Sequence, residues 1–158
     1  RIWPDASRAE AFAPRPGIVF VEAQSADLEA QRVAELILAC ERVHGAWLGA
    51  VEAELGATHP RYLVSCFYRV QIDRVRRALA AAGVDPRRWR LDTVERNQGR
   101  TGSVGLLSLG GATSDRENAF FAQSGRWTVA LSRGRFKTLV VGRSRGLLPK
   151  GIELETVA

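Results

Sequence analysis

Five short apolar runs, separated by helix-length segments or polar loops, narrow the folds open to this chain more than any other feature. They are Gly17–Ala23, Leu63–Phe67, Trp89–Val94, Val104–Leu109 and Lys137–Val141. Each has the length of a strand and is bounded by turn-forming residues. Helical periodicity follows the first two. From Ser25 onward, Val33, Ile37, Cys40, His44 and Trp47 recur at helical spacing, with Ser25 or Asp27 available as the cap. Gly45 and Gly49 predict a break there, with Val51 and Leu55 on a second helical piece. After the second run, Ile72, Val75, Leu79 and Ala82 form one stripe, with Arg69, Arg74, Arg76 and Arg77 around it. Gly83 suits the end of that helix, with Pro86 beyond it. Strands alternating with helices predict an α/β domain, with a mainly parallel sheet of about five strands and helices on both faces.

The 158 residues suffice for one domain with its own core. Pro4, Pro14 and Pro16 mark residues 1–16 as a lead-in or linker; residues 17–148 hold the domain, and 149–158 read as a tail. The chain starts at Arg1 and contains no methionine, which reads as a segment of something longer or a processed product. No apolar run reaches membrane-spanning length and no signal peptide is visible, so no membrane partner is expected. Cys40 and Cys66 are too isolated for a disulfide framework or a zinc site, which makes a reducing compartment, the cytoplasm, the expectation. His44 and His59 have no acid or nucleophile partner in the sequence, which argues against a hydrolase triad. The net charge of +6 favours a polyanionic partner. The chain holds no phosphate-binding loop, since Phe136-Lys137-Thr138 lacks the required glycines. Nor does it hold an Asp-Glu pair at a strand end for magnesium. No metal ligands are expected, and the isolated chain should not hydrolyse ATP.

Three segments join polar turns to apolar strands. The first is Val64-Ser65-Cys66-Phe67-Tyr68-Arg69-Val70-Gln71, and the second Thr93-Val94-Glu95-Arg96-Asn97-Gln98-Gly99-Arg100-Thr101, which leads to Ser108. The third is Thr128-Val129-Ala130-Leu131-Ser132-Arg133-Gly134-Arg135, inside an interval predicted to carry a short helix near Trp127 to Arg135. In this order they resemble motifs IV, V and VI of the superfamily 1 helicases, most closely the branch that includes the nonsense-mediated-decay RNA helicases. Tyr68, Arg69 and Gln71 match motif IV, whereas Cys66 replaces a hydroxyl residue and Phe67 a proline. Thr93, Val94, Gln98, Gly99 and Ser108 match motif V. Glu95 stands for its Asp, Asn97 for its Phe, and Thr101 for the acidic residue that usually binds the nucleotide's sugar.

The resemblance covers roughly Gly17 to Leu148 and implies the second, C-terminal RecA-like domain of a helicase, a three-layer α/β unit. It implies that Arg133 is the catalytic arginine finger, a permanently charged fork that reaches the γ-phosphate. Gln98, Gly99, Thr101, Arg133 and Arg135 would then form the nucleotide-binding set. Cys66, Tyr68, Arg69, Gln71, Thr93 and Asn97 would form the nucleic-acid-binding set, gripping single-stranded DNA or RNA. ATP with Mg²⁺ would be held mainly by an N-terminal RecA-like domain of the same parent chain. The alternative is a degenerate helicase-like domain that binds nucleic acid or protein without ATP turnover, favoured by the losses at Thr101 and Phe67.

Overall fold

The computed structural model describes residues 17–111, 130–131, 133–143 and 155–157. Strand β1 (Ile18–Glu22) leads to helix α1 (Ala26–Glu54), β2 (Tyr62–Cys66), helix α2 (Arg69–Ala81), β3 (Trp89–Thr93), β4 (Gly102–Ser108), β5 (Gly134–Gly142) and β6 (Glu155–Val157). All neighbouring strands are parallel, in the order β3-β2-β4-β5-β1-β6. The chain first steps from β1 out to β2 and β3, then returns to insert β4 and β5 in the gap. Parallel pairing aligns the strand ends: Cys66 lies beside Thr93 and Ser108, Ser108 beside Val141, and Glu22 beside Gly142.

Period-two alternation sorts the strand residues onto two faces. Val19, Val21, Val64, Leu106, Leu139 and Val141 face α1 and α2 and build the larger core with Val33, Ile37, Val75 and Leu79. On the opposite face Phe20, Leu107 and Val140 pack with Phe67, Val94, Leu109 and Ala130. Ala130 and Leu131 are helical, and the Leu131 carbonyl accepts from Thr138 Oγ1 at 3.1 Å, tying this second layer to β5. The result is the expected three-layer α/β arrangement, RecA-like in class.

Local chemistry sets the element ends. Of the two possible caps, Ser25 starts α1, its hydroxyl accepting from Leu28 N–H at 3.1 Å. Gly83 ends α2 at φ +70°, which lets Val84 N–H close on the Leu79 carbonyl at 3.1 Å. Three expectations are corrected. α1 runs unbroken through Gly45 and Gly49, because these glycines face a side chain rather than break the backbone. A Cβ at Gly45 would meet Glu41 Oε2 at 3.0 Å, and one at Gly49 would meet Arg61 Nη2 at 3.2 Å. The space they leave holds the Arg61 guanidinium, which pairs with Glu41 at 2.9 Å and Glu52 at 2.8 Å. Second, β5 begins at Gly134, so Gly134 and Arg135 are extended rather than helical. Third, a sixth strand, Glu155–Val157, pairs beside β1 within the residues read as a tail. Among the described residues no helix is long and apolar enough to cross a membrane. The lead-in 1–16 and residues 127–129 and 132 of the third segment lie outside the described residues.

Candidate functional site

The candidate residues collect at the two opposite edges of the sheet. At the carboxyl edge, β2 ends in Cys66 and β3 in Thr93, and α2 starts at Arg69 just after Tyr68. Arg69 is exposed and Tyr68 half-buried, so both are reachable from solvent. Thr93 is almost covered, its hydroxyl accepting from Arg96 N–H at 3.2 Å. Cys66 is buried, and desolvation holds its thiol far above the ordinary range, in the protonated form.

Gln71 and Asn97 lie wholly inside. The Gln71 amide donates to Ala26 O at 2.8 Å and to Ser108 Oγ at 3.0 Å. The Asn97 amide donates to Val64 O at 3.0 Å and Ser65 Oγ at 2.9 Å. Both serve the architecture at this edge through protein partners.

At the amino edge the chain emerges from β3's loop to start β4. Gln98, Gly99, Arg100 and Thr101 are exposed, and Gly99 turns at φ +81°, a conformation that favours glycine. Arg133, just before β5, donates from Nη1 to the Arg100 carbonyl at 2.8 Å. Its own carbonyl accepts from Gly102 N–H at 3.0 Å. Arg135 is exposed at the start of β5. Arg133 is thus brought directly against the Arg100–Gly102 segment, with Gln98 and Gly99 immediately upstream in the chain. The two edges are separated by the length of a five-residue strand, roughly 16 Å. Asn97 sits between them, pinning the connecting loop beneath β2.

Sequence reasoning missed Glu29. This carboxylate is fully buried at the carboxyl edge, accepting from Ser108 Oγ at 2.8 Å, Gly110 N–H at 2.9 Å and Gly111 N–H. Burial pushes its pKa up to about 7, against the opposing pull of those donors. The arrangement shapes the loop after β4. Gly110 and Gly111 turn at φ +72° and +77°, and a Cβ on Gly110 would come within 2.8 Å of the Tyr68 ring. Glu29 therefore holds the turn against which Tyr68 rests. The signal was present in the sequence: Glu29 falls four residues before Val33, on the apolar stripe of α1, where a solvated carboxylate has no place.

Residues 23–145 match the model of a family described as an AAA domain, a span that begins just after β1 and ends just past β5. The chain belongs to that family. It is a helicase-like C-terminal domain family of superfamily 1. The match contains every candidate residue at both edges. No curated protein matches the chain.

Proposed function

We propose that this chain is the second motor domain of an ATP-dependent helicase or translocase. It would supply Arg133 to a nucleotide cleft at the amino edge and a single-strand grip through Tyr68, Arg69 and Thr93 at the carboxyl edge. The observation that carries the reading is the contact of Arg133 with the Arg100 carbonyl, at the far end of the loop that starts from Thr93. One continuous segment thereby reaches from the proposed grip to the proposed finger. The likeness to the nonsense-mediated-decay branch rests on the motif residues themselves.

The residues at the amino edge suit a polyphosphate in part. Arg133 and Arg135 offer guanidinium donors, and Thr101 a hydroxyl. Magnesium fits poorly here, since among the described residues no three His, Cys, Asp or Glu side chains are grouped to hold a metal ion. ATP and its metal ion would be bound chiefly by the first domain of the parent. When bound, ATP supplies the free energy of phosphoanhydride cleavage. The part of this chain is to bring a fixed positive charge to the phosphoryl oxygens, where it acts most strongly in the transition state.

Two measurements test the reading. The isolated chain should release no phosphate from ATP. In the full-length parent, Arg133→Ala should reduce nucleic-acid-stimulated turnover about a thousandfold while ATP binding changes far less. Parental turnover in that variant sinks the finger assignment. A parent that never turns over ATP favours the degenerate binding module, for which the exposed Thr101, standing where a carboxylate is expected, is the supporting observation.

A further inference from the structure

The positive charge of this chain falls in two stretches of the sequence: residues 118–152 hold seven basic side chains and no carboxylate, and residues 69–100 form the other. Residues 69–100, from α2 to the end of the β3–β4 loop, hold nine arginines and four carboxylates, a net +5. Residues 17–68 hold three arginines and seven carboxylates, a net −4. Because β3 is the terminal strand of the sheet among the described residues, the basic part at residues 69–100 forms an open flank with no further described strand beyond it.

A groove of about 420 Å³ runs between α2 and β3 on this flank. Its lining includes the apolar Ile72 and Leu91, with the guanidinium-bearing Arg69, Arg76 and Arg96 around them. Arg69, Arg76 and Arg96 are exposed, as are Arg77 on α2, Arg90 on β3 and Arg88 just before β3. Two carboxylates also line the groove, and both have partners: Asp73 pairs with Arg76 at 3.3 Å, and Asp92 Oδ1 accepts from Thr93 N–H at 2.8 Å. The lining itself therefore carries a net +1, to which the exposed Arg77, Arg88 and Arg90 of the same flank add.

The geometry points to this flank as a binding surface for the sugar–phosphate backbone of a nucleic-acid double helix. A surface that grips single strands needs aromatic faces on which bases stack. Among the described residues, the exposed large apolar side chain on the flank is Val70, not a ring. Guanidinium groups without exposed rings suit phosphates, which carry charge but no sequence information. The 13 residues of α2 span roughly 20 Å, the length of about six base pairs of duplex. The surface lies beside the proposed single-strand grip and shares Arg69 with it. The inference rests on the nucleic-acid part of the proposed function and is independent of ATP.

The test compares two fluorescent probes with the 158-residue chain, a 16-base-pair DNA duplex and a 16-nucleotide oligothymidine strand, each titrated over a salt series. In the double variant Arg76→Gln/Arg96→Gln, duplex affinity at 0.1 M salt should fall by tens of fold. The logarithmic salt slope should decrease by about two, one for each phosphate contact removed. Oligothymidine affinity should fall much less, and the variant should melt at the parental temperature. Unchanged duplex affinity and slope would overturn the inference, as would equal losses on both probes. Displacement of the duplex by polyglutamate at equal charge concentration would also overturn it, since the surface would then be a general polyanion binder. Tyr68→Ala provides the separation: it should weaken the single-strand probe and spare the duplex. If single-strand binding is absent from the outset while the duplex results hold, the strand grip fails and the flank assignment stands.

Discussion

Replacing Glu29 with glutamine removes a carboxyl that is buried at the sheet's carboxyl edge, and the effect should depend on pH in a defined direction. In the folded chain the group is pushed up to about 7 from an ordinary value of 4.5. The folded state therefore holds its proton more tightly than the unfolded chain, so the group's contribution is most favourable below pH 4.5. Stability is lost as pH rises through 7. A separation of this size corresponds to about 3 kcal/mol in all, of which about 2.5 kcal/mol falls between pH 5 and 8. Glutamine cannot ionise, but its amide nitrogen would face either Gly111 N–H or the donors from Ser108 and Gly110. One donor is left unsatisfied at a cost of about 1–3 kcal/mol at every pH. Glu29→Gln should thus be clearly less stable than the parent at pH 5 and close to it, or above it, at pH 8. Urea unfolding of both proteins at pH 5, 6, 7 and 8 measures the gap, and other titrating groups cancel in the comparison. A gap that stays constant over this range would mean that Glu29 is ionised throughout, and the reasoning from burial would be wrong.

Two further perturbations probe the packing. Arg61→Met should destabilise by about 1–3 kcal/mol, because the partly exposed Glu41 and Glu52 would lose the buried cation that holds them; equal urea midpoints for variant and parent would refute this. Gly102→Ala should disturb the sheet, since a Cβ there would lie 2.8 Å from the Leu63 backbone nitrogen. Gly56→Ala, with nothing within 4 Å but φ +61°, should cost only about 1–2 kcal/mol, and thermal melts rank the two.

Much of the fold was legible because parallel strands buried on both faces need continuous runs of apolar residues. Four of the five predicted strands agree with the structure to within two residues at each end, and β5 starts three residues earlier than its apolar run. Gly45 and Gly49 misled because glycine serves two purposes, turning a chain and making room. Which of these applied depended on Arg61, sixteen and twelve residues further along. β6 escaped notice because its three residues are too few to display a period. At the candidate site the turns were readable from their Arg, Gly and Asn content. The interior roles of Gln71 and Asn97 were not, because an amide looks the same in sequence whether it meets solvent or a buried carbonyl. Glu29 was readable in principle from its stripe position, but its partners are about eighty residues away.

The connection from β3 to β4 has a mechanical consequence. Parallel strands are usually joined by a dozen or more residues, and here residues 94–101 complete the crossing alone. They must traverse the sheet along a strand's length and sideways past β2, a straight distance of roughly 19 Å. Eight residues fully stretched would reach about 27 Å, but residues 94–99 are coiled in turns, with Asn97 N–H on the Thr93 carbonyl and Arg100 N–H on the Asn97 carbonyl, both at 3.0 Å. The link is held by its own turns and by the Asn97 side chain rather than by tension, and a single glycine inserted after Gln98 would break the turn from Asn97 to Arg100 without altering any residue at either end.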